Sequence, residues 1–340
     1  MKGTVNFLIV GLGSIGRKHL SEVSKIYPSS KLFVIDPLLA PGEHSLNGIS
    51  FQVLLRVEES LTDSDIGIIS NWGPDHFKTI NQLIAASYKR IIVEKPLADS
   101  LNEILQIQEI CIKEEIVLTV NHSWHFEQLG NRINVLSDSL TLGPPVMLSI
   151  TGGARCLSTA GSHLIHLSNQ IFGSIPSFIA GLGGSSFINP RNSSLSYYEG
   201  VFSFKYPKGQ LLSISYCNSS SIEGETKIYW RDAMGDLRGE NITIYERTRD
   251  RDYLDKITRY GQPTELIFEG ELPRSNSLEF RDVYEFVEKC EFSRSKSNLS
   301  QHIDSSLTLI QALLSSHLGF HTAPFMKHDE KTSAMKFGIS

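Results

Sequence analysis

The sequence predicts a protein of two domains, in which a doubly wound α/β domain with a parallel sheet precedes an α+β domain whose antiparallel sheet is flanked by helices. Three observations support this fold class. The 340 residues exceed what one hydrophobic core usually serves. Up to about residue 122, short apolar runs alternate with helical patterns, as in parallel sheets with crossover helices. After Leu142-Gly143-Pro144-Pro145, segments rich in β-branched and aromatic residues follow one another with turns between them.

The N-terminal strands are short runs rich in valine and isoleucine, as expected for strands covered on both faces. We predict them at Val5–Val10, Lys31–Ile35, Ile66–Ser70, Arg90–Val93 and Ile116–Val120. The intervening helices are predicted at Gly16–Ile26, His76–Ala86 and Leu101–Lys113.

The C-terminal strands are predicted at Val146–Thr151, Tyr197–Tyr206, Gln210–Tyr216, Thr226–Arg231, Ile242–Tyr245 and Leu266–Phe268. Two helices follow, at Ser277–Cys290 and Leu299–His317, and we expect the last one to pack near the domain junction. The predicted organisation is therefore residues 1–122, residues 123–322 and a loosely ordered polar tail at residues 323–340.

Composition excludes several classes of protein. The formal charge of -5 and the absence of a basic stripe argue against a nucleic-acid partner. No apolar run approaches a membrane span or a secretory signal, so we expect a cytoplasmic protein with no membrane partner. The four cysteines are far apart and lack CxxC spacing, which indicates reduced thiols.

A glycine-rich loop lies at the first strand-to-helix turn, where the sequence is Gly11-Leu12-Gly13-Ser14-Ile15-Gly16. In this position Gly11 permits the turn, Gly13 lets a diphosphate approach the backbone, and Gly16 lets helix and strand pack closely. Asp36 ends the second predicted strand, from which a carboxylate can accept hydrogen bonds from an adenosine ribose. The loop therefore predicts a dinucleotide, and Asp36 favours NAD over NADP. Alternatively, Asp36 is a turn residue before Pro37.

Further motifs follow the later strands. Glu94-Lys95-Pro96 follows the fourth strand, Ser70-Asn71-Trp72-Gly73-Pro74-Asp75-His76 the third, and Asn121 the fifth. Gly143, Gly161-Ser162-His163, Phe286-Val287 and Ile303-Asp304 complete the pattern. Over nearly its whole length the chain thus resembles the glucose-fructose oxidoreductase / inositol dehydrogenase / MocA (Gfo/Idh/MocA) family, whose N-terminal domain has the Rossmann fold.

The resemblance implies that Lys95 lies beside the nicotinamide and the reacting carbon, and that the Lys95–Pro96 bond can be cis. Ligands of open α/β sheets bind beyond the carboxyl ends of the strands, which independently favours this place for Lys95. A surface lysine at a strand end is the alternative. The family usually has Asp-x-Gly-x-His-x-x-Asp where this chain has Thr159, Gly161, His163 and His166. His163 is kept, but both carboxylates are replaced. In members of the family that act on nucleotide-linked sugars the first aspartate is often another polar residue, so Thr159 favours that branch.

Two pairs of histidines are spaced three residues apart, His122 with His125 and His163 with His166. Such pairs can bind zinc, but no glutamate or cysteine accompanies them, so we expect cleft-lining groups and no metal. For His122 and His166, a core or surface position is the alternative.

We expect an NAD-dependent dehydrogenase acting on CH-OH donors, which transfers a hydride between nicotinamide and a secondary hydroxyl of a sugar or nucleotide-linked sugar. Lys95 and His163 are the expected catalytic residues. The cofactor residues are those of the glycine-rich loop with Asp36, Asn71, Trp72, His76, Glu94 and Lys95. The candidate substrate contacts are Asn121, Trp124, His125, Arg155, Thr159 and His166.

Two other functions remain open: a catalytically inactive dinucleotide-binding sensor or assembly subunit, and a metal-dependent hydrolase. We also expect a homo-oligomer, a dimer or a tetramer, if aromatic residues form an exposed face of the second sheet. Alternatively, these residues cover the core of their own domain. They are Tyr197, Phe202, Phe204, Tyr206, Tyr216, Tyr229 and Trp230.

Overall fold

The computed structural model describes most of the chain. The described ranges are residues 5–57, 65–122, 128–153, 156–189, 192–222, 224–247, 264–273, 279–318 and 330–339. Within them the chain forms two sheets, one of seven strands and one of eight, which confirms the predicted fold class.

The N-terminal sheet has the strand order β3-β4-β2-β1-β5-β6-β7. Its strands are β1 (Phe7–Val10), β2 (Leu32–Ile35), β3 (Gly42–Leu46), β4 (Ile49–Val53), β5 (Ile66–Ile69), β6 (Arg90–Val93) and β7 (Val117–Val120). All neighbours are parallel except the hairpin β3–β4. This hairpin was not predicted, because β3 is polar and largely exposed, whereas the central strands are continuous in buried apolar residues.

Three helices cross over between these strands, α1 (Ser14–Ile26), α2 (His76–Ala85) and α3 (Leu101–Lys113). Strand order reverses between β1 and β5, because β2 lies on one side of β1 and β5 on the other. At such a switch point the loops diverge and leave a crevice at the carboxyl ends of the strands, where ligands of this sheet type bind. The fold therefore gathers the loops after β1, β2, β5, β6 and β7 around one crevice.

The C-terminal sheet has the order β15-β14-β13-β12-β8-β11-β10-β9. Its strands are β8 (Met147–Gly152), β9 (Phe178–Asn189), β10 (Asn192–Lys205), β11 (Leu211–Tyr216), β12 (Glu225–Tyr229), β13 (Ala233–Arg238), β14 (Asn241–Arg247) and β15 (Thr264–Glu271). The sheet is antiparallel except for the pair β8–β11, which is parallel because helix α5 (Leu157–Phe172) and two further strands intervene in the chain. Helix α4 (Leu129–Ser139) precedes this sheet.

The aromatic side chains of the second sheet face the core of their own domain. Phe202, Phe204 and Tyr206 are fully buried, and Tyr216 and Trp230 nearly so. The indole N–H of Trp230 donates to the Ser137 hydroxyl on α4, and the Tyr206 hydroxyl donates to Asn169 Oδ1 on α5. The expectation of an exposed aromatic patch is therefore wrong for these five residues, because helices cover the face of the sheet to which they belong.

Two further helices pack against the N-terminal domain, α6 (Glu279–Lys289) and α7 (Phe292–His317). Val283 and Tyr284 of α6 belong to the core cluster that includes Phe7 of β1 and Leu20 of α1. Helix α7 packs against β7, where the Thr119 hydroxyl donates to Asn298 Oδ1. The predicted position of the last long helix at the domain junction is confirmed. Among the described helices, none is long and apolar enough to cross a bilayer.

The segment at residues 330–339 differs from the loosely ordered tail that we expected. It begins with a short helix, α8 (Glu330–Ser333), and its Phe337 and Ile339 side chains are buried in the core. The Asp99 carboxylate accepts hydrogen bonds from the backbone N–H groups of both residues, at 3.1 and 3.3 Å. Desolvation by burial raises the pKa of Asp99. These two apolar residues within a polar segment are sufficient to anchor it.

Candidate active site

The glycine-rich loop joins β1 to α1, as predicted, and Gly13 is the N-cap of the helix. Gly11 has φ +93°, and a Cβ there would lie 2.7 Å from the backbone nitrogen of Asn71. A Cβ on Gly16 would lie 2.0 Å from the carbonyl oxygen of Gly11, so both glycines are required by close backbone packing. Around Gly13, by contrast, no heavy atom of the described residues lies within 4 Å of the Cβ position. This open space before a helix N-terminus, which no side chain caps, fits a bound diphosphate.

Asp36 follows β2 and lies beside the same loop. Its Oδ2 accepts a hydrogen bond from the Leu12 backbone N–H at 2.6 Å, and its Oδ1 accepts one from the Leu38 N–H at 2.9 Å. The second contact is the turn role that we considered as the alternative. The first contact fixes the carboxylate against the phosphate loop, and each oxygen keeps a lone pair for a ribose hydroxyl.

The loop after β5 is tied to the phosphate loop by Ser70, whose hydroxyl donates to the Gly11 carbonyl at 2.7 Å. Asn71 donates through Nδ2 to Thr79, while its Oδ1 is buried and has no hydrogen-bond partner among the described residues. Trp72 is 41% exposed at the start of the following turn. Asn71 is thus the residue of this loop that has a free acceptor for a ligand.

His76 is buried, although we expected it among the cofactor residues. Its Nδ1 lies 2.7 Å from the Pro96 carbonyl oxygen and its Nε2 lies 3.1 Å from that of Asn71. Desolvation by burial lowers the pKa of His76, so the ring is neutral and donates to one carbonyl at a time. The geometry gives His76 the role of holding the loops after β5 and β6 together.

Glu94, at the end of β6, is the centre of a buried hydrogen-bond network. Its Oε1 accepts from Asn121 Nδ2 at 2.7 Å and from His19 Nε2 at 2.9 Å. The other ring nitrogen of His19, Nδ1, is hydrogen-bonded to the Tyr284 hydroxyl at 2.7 Å. Desolvation opposes ionisation of Glu94, but the hydrogen bonds from His19 and Asn121 and the charge of Lys95 outweigh it, so the pKa of Glu94 lies below its usual range.

His19 and Tyr284 were missed by the sequence analysis. They lie on α1 and α6, more than 70 residues from Glu94 in the chain, and only the tertiary fold brings them to it. Nothing in the motifs around either residue marks it. Together they fix the orientation of Glu94, the residue next to Lys95.

Lys95 lies where the two domains meet. The Lys95–Pro96 peptide bond is cis. The lysine Nζ donates to the backbone carbonyl of Thr159 on α5 at 3.2 Å. The side chain of Thr159, which stands in place of a family carboxylate, contacts Cys156 Sγ at 3.1 Å instead. The carbonyl of Thr159 thus holds the lysine at the position where the family has a carboxylate side chain.

His163 lies on α5, one turn after Thr159, with a partly exposed ring. Desolvation by burial and the positive charge of Lys95 together lower its pKa to about 4, with a smaller opposing effect from Glu94. The ring is therefore neutral at pH 7 and has a lone pair that can accept a proton. The structure thus brings Lys95 and His163 to one place beside the crevice, although they come from different domains.

Asn121, after β7, lies in the same place. Its Nδ2 donates to Glu94, and its buried Oδ1 has no hydrogen-bond partner among the described residues. Two buried acceptors, on Asn71 and Asn121, and the open space at Gly13 are what a dinucleotide with a carboxamide-bearing ring requires. The residues present therefore fit NAD.

Other candidate residues are placed differently. Trp124, His125 and Arg155 lie outside the described residues. His166 is buried and belongs to a cluster with His122 and His302 in the protein interior, so it does not line the crevice as expected of a substrate contact. The same holds for His122, which is fully buried. Both His122 and His166 therefore occupy core positions, which was the alternative considered for them in the sequence analysis.

Known proteins resemble this chain in its N-terminal domain. Residues 5–122 match the family described as "Oxidoreductase family, NAD-binding Rossmann fold". Inositol 2-dehydrogenase 3 from Saccharopolyspora erythraea is 22% identical over 148 residues, which cover 42% of this chain and 44% of that protein. The match thus spans less than half the length of this curated relative.

Solved structures resemble the chain over nearly its full length. An oxidoreductase from Thermotoga maritima has a TM-score of 0.67 at 14% identity, covering 92% of this chain and 97% of its own. UDP-N-acetylglucosamine 3-dehydrogenase from Acidithiobacillus ferrooxidans has a TM-score of 0.60 at 14% identity, covering 92% and 97%. At this level of identity the likeness concerns the fold.

Proposed function

We propose that this chain, which belongs to the Gfo/Idh/MocA family of NAD-binding oxidoreductases by its residues 5–122, transfers a hydride between NAD and a secondary hydroxyl of a sugar or cyclic polyol. The observation that carries the proposal is the convergence of Lys95 and neutral His163 at the carboxyl ends of the parallel strands, beside a loop shaped for a diphosphate. Relatives that are named as inositol dehydrogenases support a sugar or cyclic polyol as the substrate class.

The two side chains have different roles in this proposal. Bound NAD supplies the acceptor for the carbinol hydrogen, which leaves as a hydride. The neutral ring of His163 accepts the hydroxyl proton as the carbon–oxygen double bond forms. The Lys95 ammonium, held by the Thr159 carbonyl, stabilises the negative charge that develops on the oxygen. In the reverse direction His163 returns the proton to the alkoxide.

The finer proposal is a nucleotide-linked sugar as substrate. It rests on Thr159, which replaces the first family carboxylate and whose carbonyl holds Lys95. The second replacement, His166, is buried away from the crevice and does not bear on the substrate. An acidic side chain near a substrate diphosphate would repel it, and its absence removes that repulsion. The fold-level likeness to a UDP-N-acetylglucosamine dehydrogenase is compatible with this.

The main experiment separates chemistry from cofactor binding. Lys95→Ala is expected to lower kcat by about 100-fold or more while NAD affinity changes little, because the phosphate loop and Asp36 remain. Lys89→Ala is the matched control, since Lys89 is an exposed lysine just before the same strand. Reduction of NAD is followed by absorbance with a panel of inositols, free sugars and nucleotide sugars. Normal turnover by the Lys95→Ala variant would contradict the role given to Lys95.

The same panel tests the second function, an inactive dinucleotide-binding sensor or assembly subunit. The loss of both family carboxylates favours that function, whereas the geometry of Lys95 and His163 favours chemistry. NAD binding without reduction of NAD by any compound of the panel would favour the sensor.

We further propose that the chain forms a homo-oligomer through the outer face of its second sheet. Leu182 on β9 and Val201 on β10 are paired in register and are 63% and 45% exposed. An apolar face of this kind is costly in water and is often covered by a second copy. The proposal predicts that Val201→Glu lowers the molecular mass measured by sedimentation, and an unchanged mass would contradict it.

A further inference from the structure

Three histidines that the proposed reaction does not use lie together in the interior. They are His122 just after β7, His166 on α5 and His302 on α7, with exposures of 0, 2 and 0%. Their ring centroids lie 4.6, 4.9 and 5.0 Å apart. One ligand nitrogen from each lies within 4.8 Å of the other two. Three separate elements of the fold thus bring three imidazoles together, with ring planes tilted by 12°, 17° and 28° relative to one another.

The proton on His302 can be assigned from its neighbours. The Thr119 hydroxyl donates its proton to Asn298 Oδ1 at 3.0 Å, so its oxygen must accept from His302 Nε2, also at 3.0 Å. His302 is therefore protonated at Nε2, and the lone pair is on Nδ1. This Nδ1 accepts a hydrogen bond from the Nδ1–H of His122 at 2.9 Å, so the lone pair of His122 is on Nε2.

The proton on His166 is assigned in the same way. The Ser305 hydroxyl donates to the Gln301 carbonyl oxygen at 2.8 Å. Its oxygen therefore accepts from His166 Nδ1 at 2.9 Å, and the lone pair of His166 is on Nε2. Two of the rings thus donate their outer N–H to a hydroxyl that is itself oriented by a carbonyl group. Protein metal sites orient their histidine ligands by outer hydrogen bonds of this kind.

We propose that His122, His166 and His302 bind one divalent transition-metal ion of the zinc class, with a water molecule as the fourth ligand. Neutral imidazole is a preferred ligand of zinc, and three histidines with one open position form a known tetrahedral arrangement. Nitrogen ligands of a tetrahedral zinc ion lie about 3.4 Å apart. The ligand nitrogens here lie within 4.8 Å of one another, so the ion requires a small adjustment of the three rings and replaces the hydrogen bond between His122 and His302.

The surroundings give the ion a route and a structural role. A pocket of about 410 Å³ is lined by His166, Gln301 and Asp304, which offers an entry path with a carboxylate at its wall. The ion would join the end of β7 in the NAD-binding domain to α5, the helix that carries His163 one turn from His166. It would therefore fix the distance between the two halves of the candidate active site.

The test measures metal binding by the full-length chain, purified without a histidine tag. The expected result is one equivalent of zinc by mass spectrometry, or, after treatment with a chelator, binding of one Co²⁺ with the strong visible absorption of a tetrahedral site. His302→Gln is expected to abolish this absorption. His317→Gln, which removes an exposed histidine from the same helix, is expected to leave it unchanged.

A milder variant keeps the test decisive if His302→Gln does not fold. Thr119→Val is nearly isosteric and removes the acceptor of the His302 Nε2 proton together with the hydrogen bond to Asn298, so zinc affinity is expected to fall by about 10- to 100-fold. Bound NAD is the check on folding in every variant. No stoichiometric binding of Zn²⁺ or Co²⁺ by the wild-type chain would overturn the proposal, and so would Co²⁺ absorption that persists in a folded His302→Gln variant.

Discussion

Replacing His163 by glutamine removes a ring whose protonation differs between the folded and the unfolded chain. In the folded protein its pKa is about 4, against 6.5 for an ordinary histidine. Between these two pH values the unfolded chain binds a proton that the folded chain does not. The free energy of unfolding of the wild type therefore decreases as the pH falls through this window, and the part due to His163 is absent from the variant.

The magnitude follows from the difference of about 2.5 between the two pKa values. Each pH unit within the window costs about 1.4 kcal/mol, so the wild type loses up to about 2 kcal/mol between pH 7.5 and pH 5, and up to about 3 kcal/mol by pH 4. These are upper bounds, because the ring is partly exposed and water screens the desolvation.

The assay is urea unfolding followed by tryptophan fluorescence at pH 7.5, 6 and 5, for the wild type and for His163→Gln. The quantity compared is the change of each protein's free energy of unfolding with pH, so that contributions from other acidic and basic groups cancel. His317→Gln, with an exposed ring, serves as a control and is expected to parallel the wild type. Parallel curves for the wild type and His163→Gln would refute the electrostatic argument, and with it the neutral ring assumed for proton transfer.

Four further variants test the site. Gly13→Ala is expected to keep the thermal stability of the wild type and to weaken NAD binding at least tenfold, since the methyl group fills only the space for the diphosphate. Gly16→Ala is expected to lower the midpoint of thermal unfolding itself, because its Cβ would lie 2.0 Å from the Gly11 carbonyl oxygen. Asp36→Ala is expected to reduce the preference for NAD over NADP, measured as a ratio of Kd values, and an unchanged ratio would leave Asp36 only its turn role. Glu94→Gln keeps the accepting oxygen but removes its charge, so the free energy of unfolding at pH 7 should be about 1–2 kcal/mol lower than in the wild type. This difference should vanish as the pH falls below the lowered pKa of Glu94. A difference in the free energy of unfolding that does not depend on pH would exclude this explanation.

The parts of the fold that the sequence predicted are those in which apolar residues follow one another without interruption. The bounds predicted for strand β6, Arg90–Val93, agree with the structure, because every residue of this strand except the first is apolar. Strand β9 was not predicted, since glycines at positions 181, 183 and 184 interrupt the pattern, and β13 was not predicted because Gly235 and Asp236 lie in its middle. Both strands form because neighbouring strands supply their hydrogen bonds, which a single segment does not show.

The candidate site divides in the same way. Residues within motifs, such as Lys95 and Gly13, could be placed because the strand ends of a parallel sheet share one edge. Tyr284 and His302 could not, since each contacts its partners across more than 130 residues of chain. His163 and His166 lie on one helix, but His166 is buried among interior histidines, and only His163 lies beside Lys95 at the crevice.

Helix α6 makes the dinucleotide-binding unit discontinuous in the chain. Its Phe280, Val283 and Tyr284 complete the apolar cluster over β1 and α1, although they follow the whole second sheet in the sequence. A fragment ending at residue 122 would expose Phe7 and leave His19 without the Tyr284 hydroxyl. An excised N-terminal domain is therefore an unsuitable reagent for cofactor studies. A fragment that retained α6 through a short linker would restore both contacts and give a minimal NAD-binding protein.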